Sequence, residues 1–326
     1  MTFRQPPEWA PHEWVWIGFP SHADLWEDDL EPARAEVMAF ASAVHADGKG
    51  ERVRLVAADP ESVERARDLA GANIDVVQEM FGDIWLRDTA PLILKSGAER
   101  AAADFAFNGW GGKYELEGDD TIGVRLAETM DLEANRHEWI LEGGAIDVDG
   151  TGLAVTTEQC LLNPNRNKGM SRDEIEARLK RDLGLDRILW LGDGLLNDHT
   201  DGHVDNLARF VGENRLAVPV SAGEDDPNAA VYEDARRRAE AFGVEVVPIP
   251  SPGRVIRDGE IIPASYMNFY IGNAAVVVPL YGAPNDGAAV EAIGALFPGP
   301  EAGGFRADHI LTARGRFHCM RLTGPP

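Results

Sequence analysis

The sequence is poor in cysteine and contains no long apolar run. Its 326 residues include two cysteines, Cys160 and Cys319, which are too few for a disulfide framework in a chain of this size. No stretch of eighteen or more apolar residues occurs, and the N-terminal residues lack the apolar segment of a signal peptide. These absences predict a cytoplasmic protein with free thiols and without a membrane partner.

Basic residues are also scarce. Lys and Arg number 31 against 55 Asp and Glu, which gives a formal net charge of −24. Phosphate binding requires a broad basic patch, whereas the one tight basic cluster, at residues 236–238, lies in a predicted helix. The composition therefore excludes a nucleic-acid partner. It favours a cationic ligand weakly, and solubility alone would also explain the acidity.

Strand and helix patterns alternate along the chain without a linker. Hydrophobic residues make up 44% of the sequence, enough for a large core, and one domain over residues 1–326 is the simplest prediction. The order strand, strand, helix, strand recurs in five units of about 60 residues, which is compatible with a repeat-built propeller. In the last unit we predict strands at 266–271 and 275–278, a helix at 287–297 and a strand from residue 310 onward.

Residues 197–206 combine two histidines with three aspartates. His203 and Asp205 are two residues apart and precede the apolar run 207–211, which predicts side chains held at a strand end. Two other interpretations are a solvated acidic loop and a metal site formed with His199 and Asp201. The spacing of the two histidines suits a metal best on a helix, which Gly202 disfavours.

Cys319 is a candidate nucleophile. A cysteine becomes reactive where an imidazole or a positive charge stabilises the thiolate, and His203, His318 and Arg316 are the candidates. Cys160 precedes two leucines and is predicted to be a core residue. The glycine pair after Glu142 indicates either a tight turn or a close approach of the backbone to a ligand.

These segments together resemble the agmatine deiminases and the bacterial-type peptidyl-arginine deiminases of the pentein, or guanidino-group-modifying, superfamily. The resemblance covers nearly the whole chain. Its motifs are PEWAPHE at 7–13, DIWLRDTAP at 83–91, LEGG at 141–144, CLLNPNRN at 160–167, TDGHVDN at 200–206, SYMNFY at 265–270 and PND at 284–286. It implies a five-bladed α/β propeller of ββαβ-type units around a central active site.

The resemblance also implies a role for each matching residue. Asp88 and Asp205 would bind the planar guanidinium, and Cys319 would attack its carbon, expel ammonia and form a covalent amidino-thioether. His203 would protonate the leaving nitrogen and then deprotonate water, while Glu142 would orient and charge His203. Trp85 and Asp83 would complete the substrate pocket, where an aromatic face suits a delocalised cation.

The implied reaction is hydrolysis of agmatine to N-carbamoylputrescine and ammonia by a hydrolase of linear amidines, with a small cationic guanidine as substrate. It requires no metal and no organic cofactor, because no electrons are transferred and the cysteine supplies the nucleophile. Arginine, peptidyl-arginine or another guanidine is the nearest alternative substrate. A metal-dependent amidine hydrolase and a catalytically silent guanidine-binding protein are the other hypotheses.

Two positions depart from the family pattern. Arg316 stands where the family has an asparagine and would either stabilise the thiolate or repel a cationic substrate. Ala90 replaces a common glycine, and the chain is somewhat short for an agmatine deiminase. The catalytic set remains intact, so the departures concern the identity of the guanidine. A homodimer is compatible with the sequence, which leaves the oligomeric state open.

Overall fold

The computed structural model describes residues 2–313 and 317–326, so the expectations for Arg316 lie outside the described residues. In chain order, the strands are β1 (Trp14–Gly18), β2 (Arg52–Ala57), β3 (Asp75–Gln78), β4 (Leu92–Ser96), β5 (Glu99–Ala106), β6 (Ala134–Ile140), β7 (Ile146–Val148), β8 (Leu153–Thr157), β9 (Arg187–Leu191), β10 (Arg209–Gly212), β11 (Arg215–Val220), β12 (Glu245–Pro250), β13 (Ile256–Arg257), β14 (Glu260–Ile261), β15 (Tyr270–Ile271), β16 (Ala275–Leu280), β17 (Glu301–Arg306) and β18 (Arg321–Gly324).

The helices, also in chain order, are α1 (Ala23–Trp26), α2 (Leu30–His45), α3 (Pro60–Ala70), α4 (Leu86–Thr89), α5 (Gly109–Gly112), α6 (Ile122–Thr129), α7 (Glu158–Leu161), α8 (Arg172–Leu183), α9 (Ala229–Phe242) and α10 (Asp286–Gly294). None of the helices in the described part of the chain has the length and apolarity needed to cross a bilayer.

The strands form a mixed α/β arrangement of small sheets. Four three-stranded sheets, β4-β5-β6, β7-β8-β9, β10-β11-β12 and β15-β16-β17, share one pattern, in which the first pair of strands is antiparallel and the second is parallel. A parallel pair requires a crossover, and helices lie in each of these connections. The remaining strands β13 and β14 form a hairpin.

The first sheet joins the two ends of the chain. Its order is β18-β1-β2-β3, with β18 antiparallel to β1, and β1 parallel to β2. The C-terminal strand therefore takes the position that the first strand of each unit has in the other sheets. Trp14 pairs with Gly324 in this register.

Local sequence signals explain where several helices begin and end. The Asp59 side chain accepts a hydrogen bond from the Ser62 backbone N–H at the start of α3, which has Pro60 in its first turn. Ser171 and Glu174 form a reciprocal capping box on α8, and Gly184 in the left-handed conformation ends that helix. These signals are local, so the sequence alone placed both helices.

Two predicted strands are wrong. Residues 310–313 form a short 3-10 helix, and the strand that closes the last unit is β17 instead. The sequence of β17, EAGGFR, hides it because glycines replace the expected apolar residues. Residues 266–268 are also a 3-10 turn, and the predicted strand 266–271 shrinks to β15.

The strand-end interpretation of the histidine segment is also wrong, because a 3-10 turn again takes the place of the strand. Residues 204–206 form a 3-10 turn, His203 lies immediately before it, and β10 begins only at Arg209. The spacing of two between His203 and Asp205 therefore reflects a helical turn and its preceding residue, not strand alternation.

A helical or hydrogen-bonded turn precedes the first strand of each of the five sheets of three or more strands. We call them the five entry turns: residues 86–89, 143–145, 204–206, 266–268 and 317–320. They carry or adjoin nearly all of the predicted chemical residues. The apolar core lies around them in four clusters of buried side chains.

Candidate active site

The five entry turns form a ring in which hydrogen bonds link four of the five consecutive pairs, while the second and third turns are in contact. The backbone N–H of Gly144 donates to Oδ1 of Asp88 over 2.8 Å, and the His318 N–H donates to Oδ1 of Asn268 over 3.1 Å. Between the third and fourth turns, Asn268 Nδ2 donates to Asn206 Oδ1 over 3.2 Å, and the ring returns to its start where the Arg87 N–H donates to the Cys319 carbonyl over 2.9 Å. This arrangement brings together Asp88, Glu142, His203, Asp205 and Cys319, five residues widely separated in the sequence.

Gly144 lies at the centre of these side chains. A Cβ placed there would be 2.5 Å from His203 Nδ1, 2.9 Å from Asp88 Oδ1 and 3.2 Å from Asp205 Oδ2. At distances below 3.0 Å a Cβ would force the neighbouring groups to shift. Residues 143–145 form a 3-10 turn, as one interpretation of the glycine pair predicted, and the absence of a side chain at Gly144 leaves the space in which the imidazole and both carboxylates meet.

The two carboxylates are held by different partners. Asp88 accepts the Gly144 N–H on Oδ1 and the Trp110 indole N–H on Oδ2, the latter over 2.9 Å. Asp205 is fully buried, and its Oδ2 lies 2.8 Å from His318 Nδ1. No described residue forms a hydrogen bond to Asp205 Oδ1. One oxygen of the carboxylate that contacts the Cys319 thiol thus remains for a cationic ligand.

Burial raises the pKa of Asp205 to about 6. The neighbouring His203 and Arg87 oppose this shift, whereas the carboxylates of Asp88 and Asp198 add to it. A like charge close by and a low-dielectric surrounding both disfavour the ionised form. A guanidinium between Asp88 and Asp205 would supply the charge that this pair lacks.

The Cys319 thiol is 7% exposed and lies against Asn268 and Asp205. The Asn268 amide nitrogen lies 3.3 Å from Sγ, its Oδ1 lies 3.4 Å away, and Asp205 Oδ2 lies at 3.7 Å. Because Asn268 Oδ1 already accepts the His318 N–H, its amide nitrogen is the group free to donate to a thiolate. The thiol is therefore adjacent to both a donor and a carboxylate of the proposed guanidinium site.

His203 is buried among acidic groups. Burial alone would lower the pKa of its imidazole, but Asp88, Cys160 and Glu142 together raise it to about 10. Its Nδ1 lies 3.8 Å from Asp88 Oδ2 on the side of the two carboxylates. At neutral pH this histidine carries a proton and can donate it.

Glu142 lies behind His203 and is tied to Arg166. Arg166 Nε donates to Glu142 Oε1 over 2.7 Å, while no described residue forms a hydrogen bond to Glu142 Oε2. One ligand-type atom each of Glu142, Cys160 and His203 lie within 4.8 Å of one another. Cys160 is a free and buried thiol, as expected of a core residue, yet its position beside His203 makes it part of the site.

Trp85 and Asp83 pair with each other. The Trp85 indole N–H donates to Asp83 Oδ2 over 2.6 Å, and the Ile84 N–H donates to Asp83 Oδ1. Burial, together with the nearby Asp119 carboxylate, raises the pKa of Asp83 to about 7. The carboxylate of Asp88, by contrast, accepts its aromatic hydrogen bond from Trp110, which was not among the predicted site residues.

His199 and Asp201 do not join the site carboxylates. Asp201 accepts hydrogen bonds from Lys113, Asn165 and Arg166 over 2.5–2.9 Å and so connects three loops at the rim. His199 lies 3.9 Å from Asp198. In the described part of the chain, the one group of three or more metal-type side chains is Glu142, Cys160 and His203, which differs from the predicted cluster.

Sequence reasoning missed Trp110, Asn268 and Arg166 as site residues. Asn268 and Arg166 lie inside motifs that were recognised, so their motif membership was an available signal. Trp110 lies in a glycine-rich segment, with φ angles of 53° at Trp110 and 84° at Gly111. In the sequence, the signal was a tryptophan flanked by glycines, and the structure shows that this segment adopts the left-handed conformation.

A buried ionic network lies beneath the ring. Glu8 pairs with Arg209 and Arg321, and Arg209 Nε lies 3.3 Å from Asp147. His318, whose pKa burial lowers well below its usual value, links this network to Asp205. The site carboxylate Asp205 is thus fixed by a neutral imidazole rather than by a competing guanidinium.

The comparisons with known proteins agree with this geometry. The family profile of the Porphyromonas-type peptidyl-arginine deiminases matches residues 4–325. The agmatine deiminase of Stutzerimonas stutzeri is 35% identical over an alignment of 354 positions, which spans 99% of this chain and 95% of that protein. Because the alignment is longer than the 326 residues of this chain, part of the length difference lies in internal gaps.

Two solved structures superpose over nearly the whole chain. The agmatine deiminase of Enterococcus faecalis matches with a TM-score of 0.93 and 29% identity, covering 99% of this chain and 96% of that chain. A cysteine-to-serine variant of C. jejuni agmatine deiminase with substrate bound matches with a TM-score of 0.92 and 28% identity, at the same coverage. The chain belongs to the family of the Porphyromonas-type peptidyl-arginine deiminases and agmatine deiminases.

Proposed function

We propose that the protein is a cysteine-dependent agmatine deiminase that hydrolyses agmatine to N-carbamoylputrescine and ammonia. The observation that carries the proposal is the meeting of His203, Asp88 and Asp205 around Gly144, with Cys319 Sγ 3.7 Å from Asp205 Oδ2. The end-to-end match to agmatine deiminases, among them the substrate-bound cysteine variant, supports it. Neither the metal-dependent nor the silent-binder hypothesis has comparable support.

In the first half of the reaction, Asp88 and Asp205 hold the guanidinium so that its carbon faces Cys319 Sγ. The thiolate attacks this carbon, and a C–S bond forms. The C–N bond to a terminal nitrogen then breaks, and His203 gives its proton to that nitrogen, which leaves as ammonia. The product of this half is an amidino-thioether on Cys319.

In the second half, water adds to the amidino carbon while His203, now neutral, accepts a proton from it. The C–S bond breaks, the sulfur leaves as thiolate, the remaining hydroxyl proton passes to solvent, and the neutral ureido product is released. Asn268 stabilises the thiolate at both ends of the cycle through its amide N–H. Glu142, fixed by Arg166, orients His203 and favours its charged form.

Acidic residues that line two cavities close to Trp110 and His199 favour a substrate whose tail is an amine; we call these residues the negative rim. A cavity of about 620 Å³ flanks Trp110 and contains Glu115, Glu117, Asp119 and Asp120, but none of its described lining residues is Lys or Arg. A second cavity of about 340 Å³ beside His199 contains Asp198 and Glu260. Free arginine carries a carboxylate that would meet this negative rim, whereas the ammonium of agmatine suits it.

A substrate screen tests the proposal. Ammonia and ureido product are measured with agmatine, arginine and a peptidyl-arginine, using wild-type protein and Cys319→Ala. We expect turnover of agmatine with at least tenfold higher kcat/KM than either alternative, and none in the variant. Turnover confined to peptidyl-arginine, or activity that survives Cys319→Ala, would contradict the proposal.

The expectations about the propeller, the domain, the cellular location and the partners are proposals as well. We propose that the five sheets are the blades of one closed five-bladed propeller and that residues 1–326 form a single domain, supported by the repeated sheet pattern and the pairing of β18 with β1. Hydrolysis of a linear amidine needs no cofactor, and we propose a cytoplasmic enzyme whose partner is a small guanidine. A homodimer remains a prediction.

A further inference from the structure

Glu142, Cys160 and His203 bring three different metal-binding groups together in the protein interior. Glu142, Cys160 and His203 are each at most 1% exposed, and one ligand-type atom of each lies within 4.8 Å of the others. In the described part of the chain, Glu142 Oε2 has no hydrogen-bond partner, and His203 Nε2 has none of good geometry, although the Cys160 thiol interacts with the imidazole. Buried polar atoms without a well-formed hydrogen bond are rare, so this pair of atoms needs a physical explanation.

In Glu142 and in His203, the other polar atom of the side chain already has a neighbour. Glu142 Oε1 accepts from Arg166, and His203 Nδ1 faces Asp88. The atoms left over are therefore a carboxylate oxygen, an imidazole nitrogen and the Cys160 sulfur. Zinc binds this mixture of donors at about 2.0–2.3 Å, which corresponds to ligand separations of roughly 3.5 Å in a tetrahedral site. Small side-chain movements would therefore complete the site.

We propose that Glu142, Cys160 and His203 form an inhibitory site for zinc or a similar thiophilic divalent cation. Binding replaces the protons of Cys160 and His203, and the thiolate and the Glu142 carboxylate balance the charge of the ion. Arg166 fixes the coordinating carboxylate from behind. The ion occupies Nε2 of His203, so the imidazole can no longer alternate between its imidazolium and neutral forms, as the deiminase reaction requires. Inhibition rests on the proposed function, whereas binding does not.

Burial of all three ligands predicts slow onset. After incubation with zinc, wild-type activity falls over minutes and returns with a chelator. In Cys160→Ser, at least tenfold more zinc is needed for half-inhibition relative to that variant's own metal-free activity. Equal zinc sensitivity in both proteins would overturn the proposal.

Cobalt provides a readout that is independent of turnover. The wild type and Cys319→Ala should each bind one Co²⁺ with a thiolate-to-metal absorption band in the near ultraviolet, and Cys160→Ser should lack that band. A band lost in Cys319→Ala and kept in Cys160→Ser would place the ion on the nucleophile and overturn the proposal. If Cys160→Ser does not fold, Glu142→Gln takes its place. Its tenfold weaker cobalt binding would support the site, and unchanged affinity would refute it.

Discussion

At the scale of single residues, Gly144 is the position on which three site side chains converge. Its φ is not among the positive values of the chain, so an alanine there would strain no backbone and would act only through its Cβ, 2.5 Å from His203 Nδ1. We expect Gly144→Ala to lower kcat/KM about a hundredfold, because displacement of a catalytic group by an ångström has effects of that order.

The matched control is Gly287→Ala, since a Cβ at Gly287 meets nothing within 4 Å. The two variants should have similar thermal midpoints, and the control should retain wild-type kcat/KM. A Gly144→Ala protein with kcat/KM within twofold of wild type would refute the steric role.

Asp205 predicts how guanidine binding depends on pH. Burial raises its pKa to about 6, so the carboxylate that must pair with the guanidinium is ionised above this pH and protonated below it. His203, with a pKa of about 10, stays protonated throughout this range. Agmatine affinity in Cys319→Ala should therefore weaken about tenfold per pH unit below pH 6.

Calorimetry between pH 5 and 8 measures this dependence. In Cys319→Ala combined with Asp205→Asn, binding should be weaker at pH 8 and flat across the range. Equal affinity of the single variant at pH 5 and pH 8 would show that Asp205 is not the titrating group.

Most chemical residues were predictable because the resemblance rests on contiguous motifs. Cys319, His203 and Asp205 each lie within or beside a recognisable segment. Asn268 and Trp110 were missed although a motif and a glycine-rich segment marked their positions, because an amide or an indole acquires its role only from what folds against it. Cys160 illustrates the same limit: its leucine neighbours correctly indicated burial, but burial beside His203 depends on tertiary structure.

At the scale of elements, the rim depends on one carboxylate that connects three loops. Asp201 accepts from Lys113, Asn165 and Arg166, and the last of these also holds Glu142. Asp201→Ala should lower the free energy of unfolding by about 1–3 kcal/mol, the range for hydrogen bonds to a charged group. It should also raise KM for agmatine, because Glu142 and the rim lose a common support.

Urea denaturation and steady-state kinetics measure both effects. The control Asp193→Ala removes an exposed aspartate close by in the sequence and should change neither quantity. An Asp201→Ala protein that is indistinguishable from this control would mean that the rim loops hold their positions independently.

Element order was largely predictable because helix caps and apolar runs are local signals. The errors occur at short turns. Residues 266–268 were assigned to a strand because the apolar run continues into β15, and His203 and Asp205 were placed at a strand end although residues 204–206 form a turn before β10. The weak strand β17 was missed because its stability comes from parallel pairing with β16 and not from its own side chains.

At the scale of the whole molecule, Glu8 ties the N-terminal segment to the fourth and first sheets. Its carboxylate pairs with Arg209 of β10 and Arg321 of β18, and all three side chains are at most 6% exposed. Removing one partner of a buried pair leaves an uncompensated charge, which typically costs about 3–5 kcal/mol. Glu8→Gln should lower the free energy of unfolding by this amount.

The comparison is Glu240→Gln, which removes an exposed partner of Arg236 and should have little measurable effect. Urea denaturation of both proteins distinguishes them. Equal stability of the two variants would show that Asp147 alone compensates the buried arginines.

The covalent intermediate tests the central claim most directly. Wild-type protein is mixed with agmatine, quenched with acid within the first turnovers, and analysed by intact-mass and peptide mass spectrometry. We predict an adduct with the mass of agmatine less ammonia, on the peptide containing Cys319 and absent from Cys319→Ala. Ammonia release without any adduct on Cys319, or an adduct on Cys160 instead, would contradict the account.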